Sequence, residues 1–233
     1  MNISSISGDL HVTVLIPMKP LHLAKSRLSK ELDSGSRAAL AMGMFSHVVK
    51  VAMESAVTGI WVIGGDDQVR ERARQLGAQW HEDLGTGLND AVSNAMNAAD
   101  EVDLPSLYLP ADLPFLQSSD IVALLTASEA GTKLALAPAQ RDAGTNAMFV
   151  PASSGFRPAL GKDSFRRHQD LAQALGLPYS VCESPGFSLD LDTPADLNRC
   201  EEIEPGFLGK LTGWSDLSAS LTREYPLGLQ GND

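Results

Sequence analysis

Apolar residues along this chain recur with two different periods, and the segments that carry them alternate. Residues 12–16, VTVLI, are β-branched and apolar throughout, which predicts a buried first strand. Residues 36–56 place Leu40, Met44, Val48 and Val51 on one face at helical spacing, which predicts an amphipathic helix. The alternation continues with predicted strands at 59–63, 79–81, 106–109 and 133–138, and predicted helices at 67–76, from about 88, and at 118–127.

Strands that alternate with helices predict an α/β fold, in which a Rossmann-like, mostly parallel sheet has helices on both faces. After about residue 140 the pattern is looser. It predicts short strands at 147–150, 179–182 and 188–191 and helices at 165–175 and 194–202. Ligands of such sheets bind at the carboxyl ends of the strands. The loops after Ile16, Leu109 and Pro138 are therefore the places to search for a site.

The length of 233 residues fits a single domain, with a core at about 11–202 and a C-terminal extension at 203–233. We expect this extension to pack against the core and to fray after Pro226. Cys182 and Cys200 have no metal-like spacing, which favours two inert thiols in a reducing compartment. We see neither an export signal nor a membrane span, and we expect a cytoplasmic protein.

The charge of the chain is acidic overall and basic in one place. It has 29 acidic and 18 basic residues, a formal net charge of -11, which argues against a general nucleic-acid binder. The loop after the first predicted strand nevertheless carries Lys19, Lys25 and Arg27. These cations could hold a triphosphate and neutralise a leaving pyrophosphate, although an exposed basic loop is the simpler alternative. Taken as a set at the ligand end of a strand, they favour phosphate.

Three acidic residues lie at predicted strand ends. Asp112 follows the strand at 106–109, and Asp190 and Asp192 flank Leu191 in an extended segment. Side chains two positions apart in such a segment point to the same face, so both carboxylates could meet one magnesium ion, which prefers oxygen ligands. Alternatively, Asp190 and Asp192 only support the helix cap that follows them. The joint presence of Asp112 favours a metal site.

Two further stretches could hold a second anion. Residues 144–146, GTN, offer a flexible backbone and a hydroxyl, and residues 161–164, GKDS, precede a predicted helix whose N-terminus would attract phosphate. Helix capping by Asp163 or Ser164 is the alternative for the second stretch. The sequence lacks a Walker A loop, a dinucleotide fingerprint, zinc-like histidine spacing and a nucleophile elbow.

Several of these motifs occur together and in order. They are IPMKP at 16–20, AKSRL at 24–28, GLN at 87–89, PADLP at 110–114 and DLDTP at 190–194. Over about residues 11–200 the chain resembles the 2-phospho-L-lactate/phosphoenolpyruvate guanylyltransferase family of coenzyme F-420 biosynthesis. The resemblance implies the nucleotidyltransferase (GT-A-like) variant of the Rossmann sheet. It also implies transfer of GMP from GTP to 2-phospholactate, phosphoenolpyruvate or 3-phospho-D-glycerate, with release of pyrophosphate.

The resemblance also implies roles for individual residues. Mg²⁺ would be held by Asp112, Asp190 and Asp192, and the phosphate of the acid would be bound by Thr145, Gly161 and Ser164. The nucleotide would face Lys19, Lys25 and Arg27, which would act with Asp112 in catalysis. The base and ribose would lie near Gly87 and Asn89. Met18 and His22 depart from the family pattern in the first loop, as does the segment after residue 203.

Two rival functions remain open from the sequence. A sugar-1-phosphate or molybdopterin nucleotidyltransferase would share the fold, but its first loop is usually rich in glycine, and residues 17–27 contain none. A non-catalytic nucleotide-binding domain would bind GTP without releasing pyrophosphate when the acid is added. Neither the acid nor the oligomeric state follows from the sequence.

Overall fold

The computed structural model describes residues 11–55 and 57–212. Within these residues the strands are β1 (Thr13–Met18), β2 (Gly59–Gly64), β3 (Gln79–His81), β4 (Ser106–Tyr108), β5 (Leu134–Pro138), β6 (Thr145–Val150) and β7 (Tyr179–Val181). The helices are α1 (Ser34–Met53), α2 (Asp67–Gln75), α3 (Leu88–Asp100), α4 (Ser118–Ala127), α5 (Ser164–Ala174), α6 (Pro185–Ser188), α7 (Pro194–Ile203) and α8 (Phe207–Thr212). Two 3-10 turns, Leu21–Leu23 and Ser26–Leu28, follow β1.

The strands form one sheet in the order β3-β2-β1-β4-β6-β5-β7. β1 is parallel to both β2 and β4, β2 is parallel to β3, and β5 is parallel to β7. β6 is the exception, because it runs antiparallel to β4 and to β5. The predicted mostly parallel sheet is therefore confirmed.

Hydrophobic side chains cover both faces of this sheet. Along β1, Val14 and Ile16 pack into one cluster together with residues of α1, α2 and α4, whereas Leu15 packs into a second cluster with residues of α3 and α5. Successive residues of a strand point to opposite faces, so the apolar run at 12–16 fits a strand that is buried on both sides. The prediction of helices on both faces is confirmed.

The predicted helix at 36–56 corresponds to α1, and all four residues of its predicted face are buried. The strand predicted at 188–191 is wrong. Ser184 and Pro185 begin the short helix α6 there, with Pro185 in the first turn, where its missing N–H is not needed. The chain that follows α6 does not join the sheet, and the Leu191 N–H donates to the Asp112 carbonyl at 3.0 Å.

A third hydrophobic cluster joins the loop after β1 and helix α1 to the C-terminal helices of the described chain. Leu28, Leu40 and Leu191 pack there with Phe207 and Leu208 of α8. Phe207 and Leu208 of the predicted extension therefore pack against the core, while Pro226 lies outside the described residues. Cys182 and Cys200 are both free and buried, in agreement with the prediction of two unpaired thiols. No helix in the described part has the length and hydropathy needed to cross a bilayer.

Candidate active site

A cavity of about 500 Å³ opens beside the carboxyl ends of β1 and β4. Its wall includes the loop after β1, the loop before α3, the loop after β4, Asn146 of β6 and the segment between α6 and α7. Two of the three loops singled out from the sequence therefore contribute side chains to one space. The predicted residues that line it are Lys19, Lys25, Arg27, Gly87, Asp112, Asp190 and Asp192.

The three predicted metal ligands face this cavity from two segments. Asp112 follows β4, while Asp190 and Asp192 lie between α6 and α7. Burial, and secondly the charge of Asp112, raise the pKa of the Asp190 carboxyl above its usual range. Burial and the same two carboxylates raise the pKa of the Tyr108 hydroxyl, so Tyr108 stays protonated at neutral pH. Two carboxylates that repel each other in a partly desolvated place favour a bound cation.

Cations already contact these carboxylates. Lys25 Nζ lies 2.7 Å from Asp112 Oδ2 and 3.5 Å from Asp192 Oδ1, and Arg27 Nη1 lies 2.5 Å from Asp192 Oδ2. Lys25 adopts a left-handed backbone conformation (φ 49°) just before the second 3-10 turn. This conformation is uncommon for a residue with a β-carbon and marks a sharp change in chain direction. The turns bring the basic loop back over the carboxylates.

Arg141, which the sequence analysis did not select, holds the opposite side of the acidic segment. It lies in the loop after β5, and its guanidinium donates to Asp190 Oδ2 at 2.8 Å and to Asp196 Oδ2 at 2.6 Å. Asp196 Oδ2 also accepts from the backbone N–H groups of Asp192 and Thr193 at 3.1 and 2.7 Å. The buried Asp196 carboxylate therefore fixes the course of the chain that carries Asp190 and Asp192.

The donor atoms fit a divalent cation in part. Asp112 and Asp190 supply hard oxygen atoms, and the repulsion between them would be relieved by a cation such as Mg²⁺. Asp192 pairs with both Lys25 and Arg27, and Lys25 also contacts Asp112. Within 11–55 and 57–212, no group of three or more His, Cys, Asp and Glu residues is arranged to hold a metal ion. The assignment of all three carboxylates to one metal stays a prediction.

The residues predicted to bind the phosphate of the acid form a separate group that does not line the cavity. Thr145 and Ser164 are buried, with their hydroxyl oxygens 3.3 Å apart, and His168 Nδ1 lies 2.8 Å from Thr145 Oγ1. Gly161 has φ +123°, which other residues rarely adopt, and its carbonyl accepts from the Ser164 N–H at 3.0 Å. Thr145 is followed directly by Asn146, which does line the cavity.

The two residues predicted near the base and ribose have different surroundings. Gly87 lines the cavity just before α3. Asn89 does not line it. Its side-chain Nδ2 donates to the Leu160 carbonyl at 3.3 Å, and its Oδ1 accepts from the Leu160 N–H at 2.6 Å. Asn89 therefore tethers α3 to the loop before α5. Asp83 and Tyr108 also line the cavity and were not selected from the sequence, because neither belongs to a recognised motif.

The fold and the site together define a class of protein. A mostly parallel sheet with one reversed strand presents the Asp112 carboxylate after β4 to a basic loop after β1. Cations that face a carboxylate at the carboxyl ends of two neighbouring strands suit a ligand that carries phosphates. The molecule has the architecture of a nucleotidyltransferase.

Comparison with known proteins identifies the family. The family model described as "Guanylyl transferase CofC like" matches residues 12–202. A phosphoenolpyruvate guanylyltransferase of Rubrobacter xylanophilus is 35% identical over 193 residues, which cover 82% of this chain and 94% of that protein. The chain belongs to the family of CofC-like guanylyltransferases.

Solved structures agree with this fold. A Desulfovibrio desulfuricans G20 structure, described as a nucleotide-diphospho-sugar transferase, has a TM-score of 0.73 at 16% identity and covers 92% of this chain and 97% of its own. Glucosyl-3-phosphoglycerate synthase of Mycobacterium tuberculosis, solved with Mn²⁺, UDP and phosphoglyceric acid, has a TM-score of 0.56 at 12% identity. The superposition covers 89% of this chain and 80% of that synthase chain. At these identities the likeness concerns the fold alone.

Proposed function

We propose that this protein transfers GMP from GTP to the phosphate of a small three-carbon acid, releasing pyrophosphate, as a cytoplasmic step of coenzyme F-420 biosynthesis. The candidate acids are 2-phospholactate, phosphoenolpyruvate and 3-phospho-D-glycerate. The observation that carries the proposal is the cavity in which Lys19, Lys25 and Arg27 meet Asp112 and Asp190. Cations there suit the phosphates of both substrates, and the carboxylates suit Mg²⁺. The phosphoenolpyruvate guanylyltransferase relative supports the reaction class.

In this mechanism an oxygen of the acid's phosphate attacks the α-phosphorus of GTP in line with the departing pyrophosphate. A phosphorus–oxygen bond forms to the acid, and the bond between the α-phosphorus and the bridging oxygen of the β-phosphate breaks. The attacking oxygen is already an anion, so no general base is required. Lys19, Lys25 and Arg27 orient the triphosphate and neutralise the charge that develops on pyrophosphate. Mg²⁺ bound by the carboxylates would polarise the phosphate oxygens.

The test is pyrophosphate release from GTP and Mg²⁺, measured with each of the three acids in separate reactions. Release that requires one acid supports the proposal and identifies the substrate. A parallel reaction with a sugar 1-phosphate tests the rival transferase. If GTP binds and no acid causes release, the proposal is wrong and the protein only binds the nucleotide.

Replacement of one carboxylate tests the site itself. We expect Asp112→Asn to lower kcat/KM at least about a hundredfold, because Asp112 would no longer supply a charged ligand. The midpoint of urea unfolding should change little, since the shape of the side chain is kept. Asp170→Asn is the matched control, because this carboxylate is 68% exposed on α5. Near-normal activity of Asp112→Asn would contradict the assignment.

A further inference from the structure

Each of the three predicted metal ligands, Asp112, Asp190 and Asp192, has a cationic partner. Lys25 contacts Asp112 at 2.7 Å, and Arg27 contacts Asp192 at 2.5 Å. Arg141 contacts Asp190 at 2.8 Å. A divalent cation that enters this site must therefore replace at least some of these ion pairs, and a triphosphate must draw the same cations away from the carboxylates.

The three cations differ in how firmly they are held. Arg141 also bonds the buried Asp196 at 2.6 Å, so it keeps an anionic partner if Asp190 binds something else. Among the contacts of the described residues, Lys25 has ion pairs only with Asp112 and Asp192, and Arg27 only with Asp192. Arg27 is also 66% exposed. Within the described residues, a cation bound by these carboxylates would therefore leave Lys25 and Arg27 without an ion-pair partner, whereas Arg141 would keep Asp196.

We propose that Lys25 and Arg27 are exchangeable counter-cations, which pair with the carboxylates and move to the triphosphate when a divalent cation takes their place. This inference rests on the proposed function, in which these carboxylates bind the metal and these cations bind the nucleotide. Metal alone binds weakly, because it must displace the cations. Nucleotide alone binds weakly, because the cations are engaged with the carboxylates.

When metal and nucleotide bind together, the metal takes the carboxylates and the triphosphate takes Lys25 and Arg27, so no group of the broken ion pairs is left without a partner. Each ligand therefore raises the affinity for the other, and by thermodynamic linkage the two effects are equal. This coupling adds to the direct contact between the metal and the phosphates. It depends on two side chains of the protein, and it can be reduced by mutation without touching a carboxylate.

The experiment measures binding of Mn²⁺ alone to the intact chain, with free Mn²⁺ counted by electron paramagnetic resonance. We expect Lys25→Met and Arg27→Met each to bind Mn²⁺ at least about fivefold more tightly than the wild type, because a competing cation is removed beside the ligands. The matched control is Lys133→Met. It removes the same charge and breaks an ion pair with Glu129 at 2.5 Å, outside the cavity lining.

A second measurement compares the affinity for GTP with and without Mn²⁺. In both cavity variants, the factor by which Mn²⁺ improves GTP binding should fall, whereas Lys133→Met should keep the wild-type factor. Unchanged or weaker Mn²⁺ binding in the variants would overturn the proposal. If Lys25→Met does not fold, Arg27→Met decides alone, because its side chain is largely exposed.

The outcomes separate this inference from the proposed function. Pyrophosphate release by the wild type, together with unchanged Mn²⁺ affinity in the variants, leaves the function standing and refutes the exchange. Tighter Mn²⁺ binding in the variants, with no pyrophosphate release from GTP by the wild type in the presence of any of the acids, leaves the exchange standing and refutes the function.

Discussion

At the scale of single residues, His168 shows how a buried group is fixed by its neighbours. The Ala159 N–H donates to Nε2 at 2.9 Å, so the ring proton is on Nδ1, which donates to Thr145 Oγ1 at 2.8 Å. Burial, and secondly the charge of Arg167, lower the pKa of His168 to about 4. The imidazole is therefore neutral at every pH at which the protein is expected to work.

This low pKa predicts a loss of stability in mild acid. The unfolded chain binds a proton at His168 near pH 6.5, while the folded chain does so only near pH 4, so the loss begins as the pH falls through 6.5 and is complete near 4. Between pH 7.5 and pH 5 this group should cost about 2 kcal/mol of the free energy of unfolding.

Urea unfolding at the two pH values, with wild type and His168→Asn, measures this effect. The asparagine keeps a donor towards Thr145 and does not titrate, so the variant should lose less stability between pH 7.5 and pH 5. Equal losses in both proteins would show that other groups cause the acid sensitivity.

The same scale shows what the sequence predicted of the site. Lys25 and Asp112 were selected because each follows a buried strand in a recognisable motif, and both line the cavity. Arg141 was missed because its partners Asp190 and Asp196 lie 49 and 55 positions away, and no local pattern records such a contact. Asn89 was selected from its motif, yet its side chain bonds Leu160, 71 positions away.

At the scale of elements, the start of α7 determines where the acidic segment runs. The sequence predicted a helix cap directly after Asp192, and the structure has the full capping box there, in which Thr193 and Asp196 bond each other's backbone. The strand expected just before it does not form. Its apolar residues Leu189 and Leu191 instead pack in the third cluster, away from the sheet. Periodicity detects burial there, but it does not distinguish a strand from an extended loop.

Removal of the Asp196 side chain should therefore destabilise more than a helix end. We expect Asp196→Ala to cost about 3 kcal/mol, because the cap is lost and Arg141 and two backbone N–H groups lose their acceptor. Asp67→Ala is the control, since this residue lies in the first turn of α2 with its side chain 91% exposed. Urea unfolding of both variants checks the difference, and equal effects would contradict the assigned role of Asp196.

At the scale of the whole molecule, α8 lies beyond the residues that the family model matches but belongs to the core. Phe207 is buried, and its ring centroid lies 5.5 Å from that of Phe115. The cluster that contains Phe207 also contains Leu28 and Leu191, the neighbours of Arg27 and of Asp190. No helix was predicted after residue 203, because α8 is too short to show a helical period.

Removal of the Phe207 side chain should lower the stability of the entire fold. We expect Phe207→Ala to cost about 3 kcal/mol of the free energy of unfolding, as is usual for a buried phenylalanine. Ile203→Ala, at a residue that is 51% exposed, should change it by less than about 0.5 kcal/mol. Denaturant titration distinguishes the two, and a small effect of Phe207→Ala would mean that α8 only lies on the surface.

The cavity lining extends along the chain from Pro17 to Asp192. A ribosome adds roughly 5–20 residues per second, so the basic loop leaves it many seconds before the last carboxylates do. A nascent chain stalled before residue 190 has Lys25 and Arg27 but lacks Asp190 and Asp192. Until synthesis passes that point, Lys25 already has Asp112, but Arg27 lacks its acidic partner Asp192, and polyanions in the surroundings can compete for Arg27.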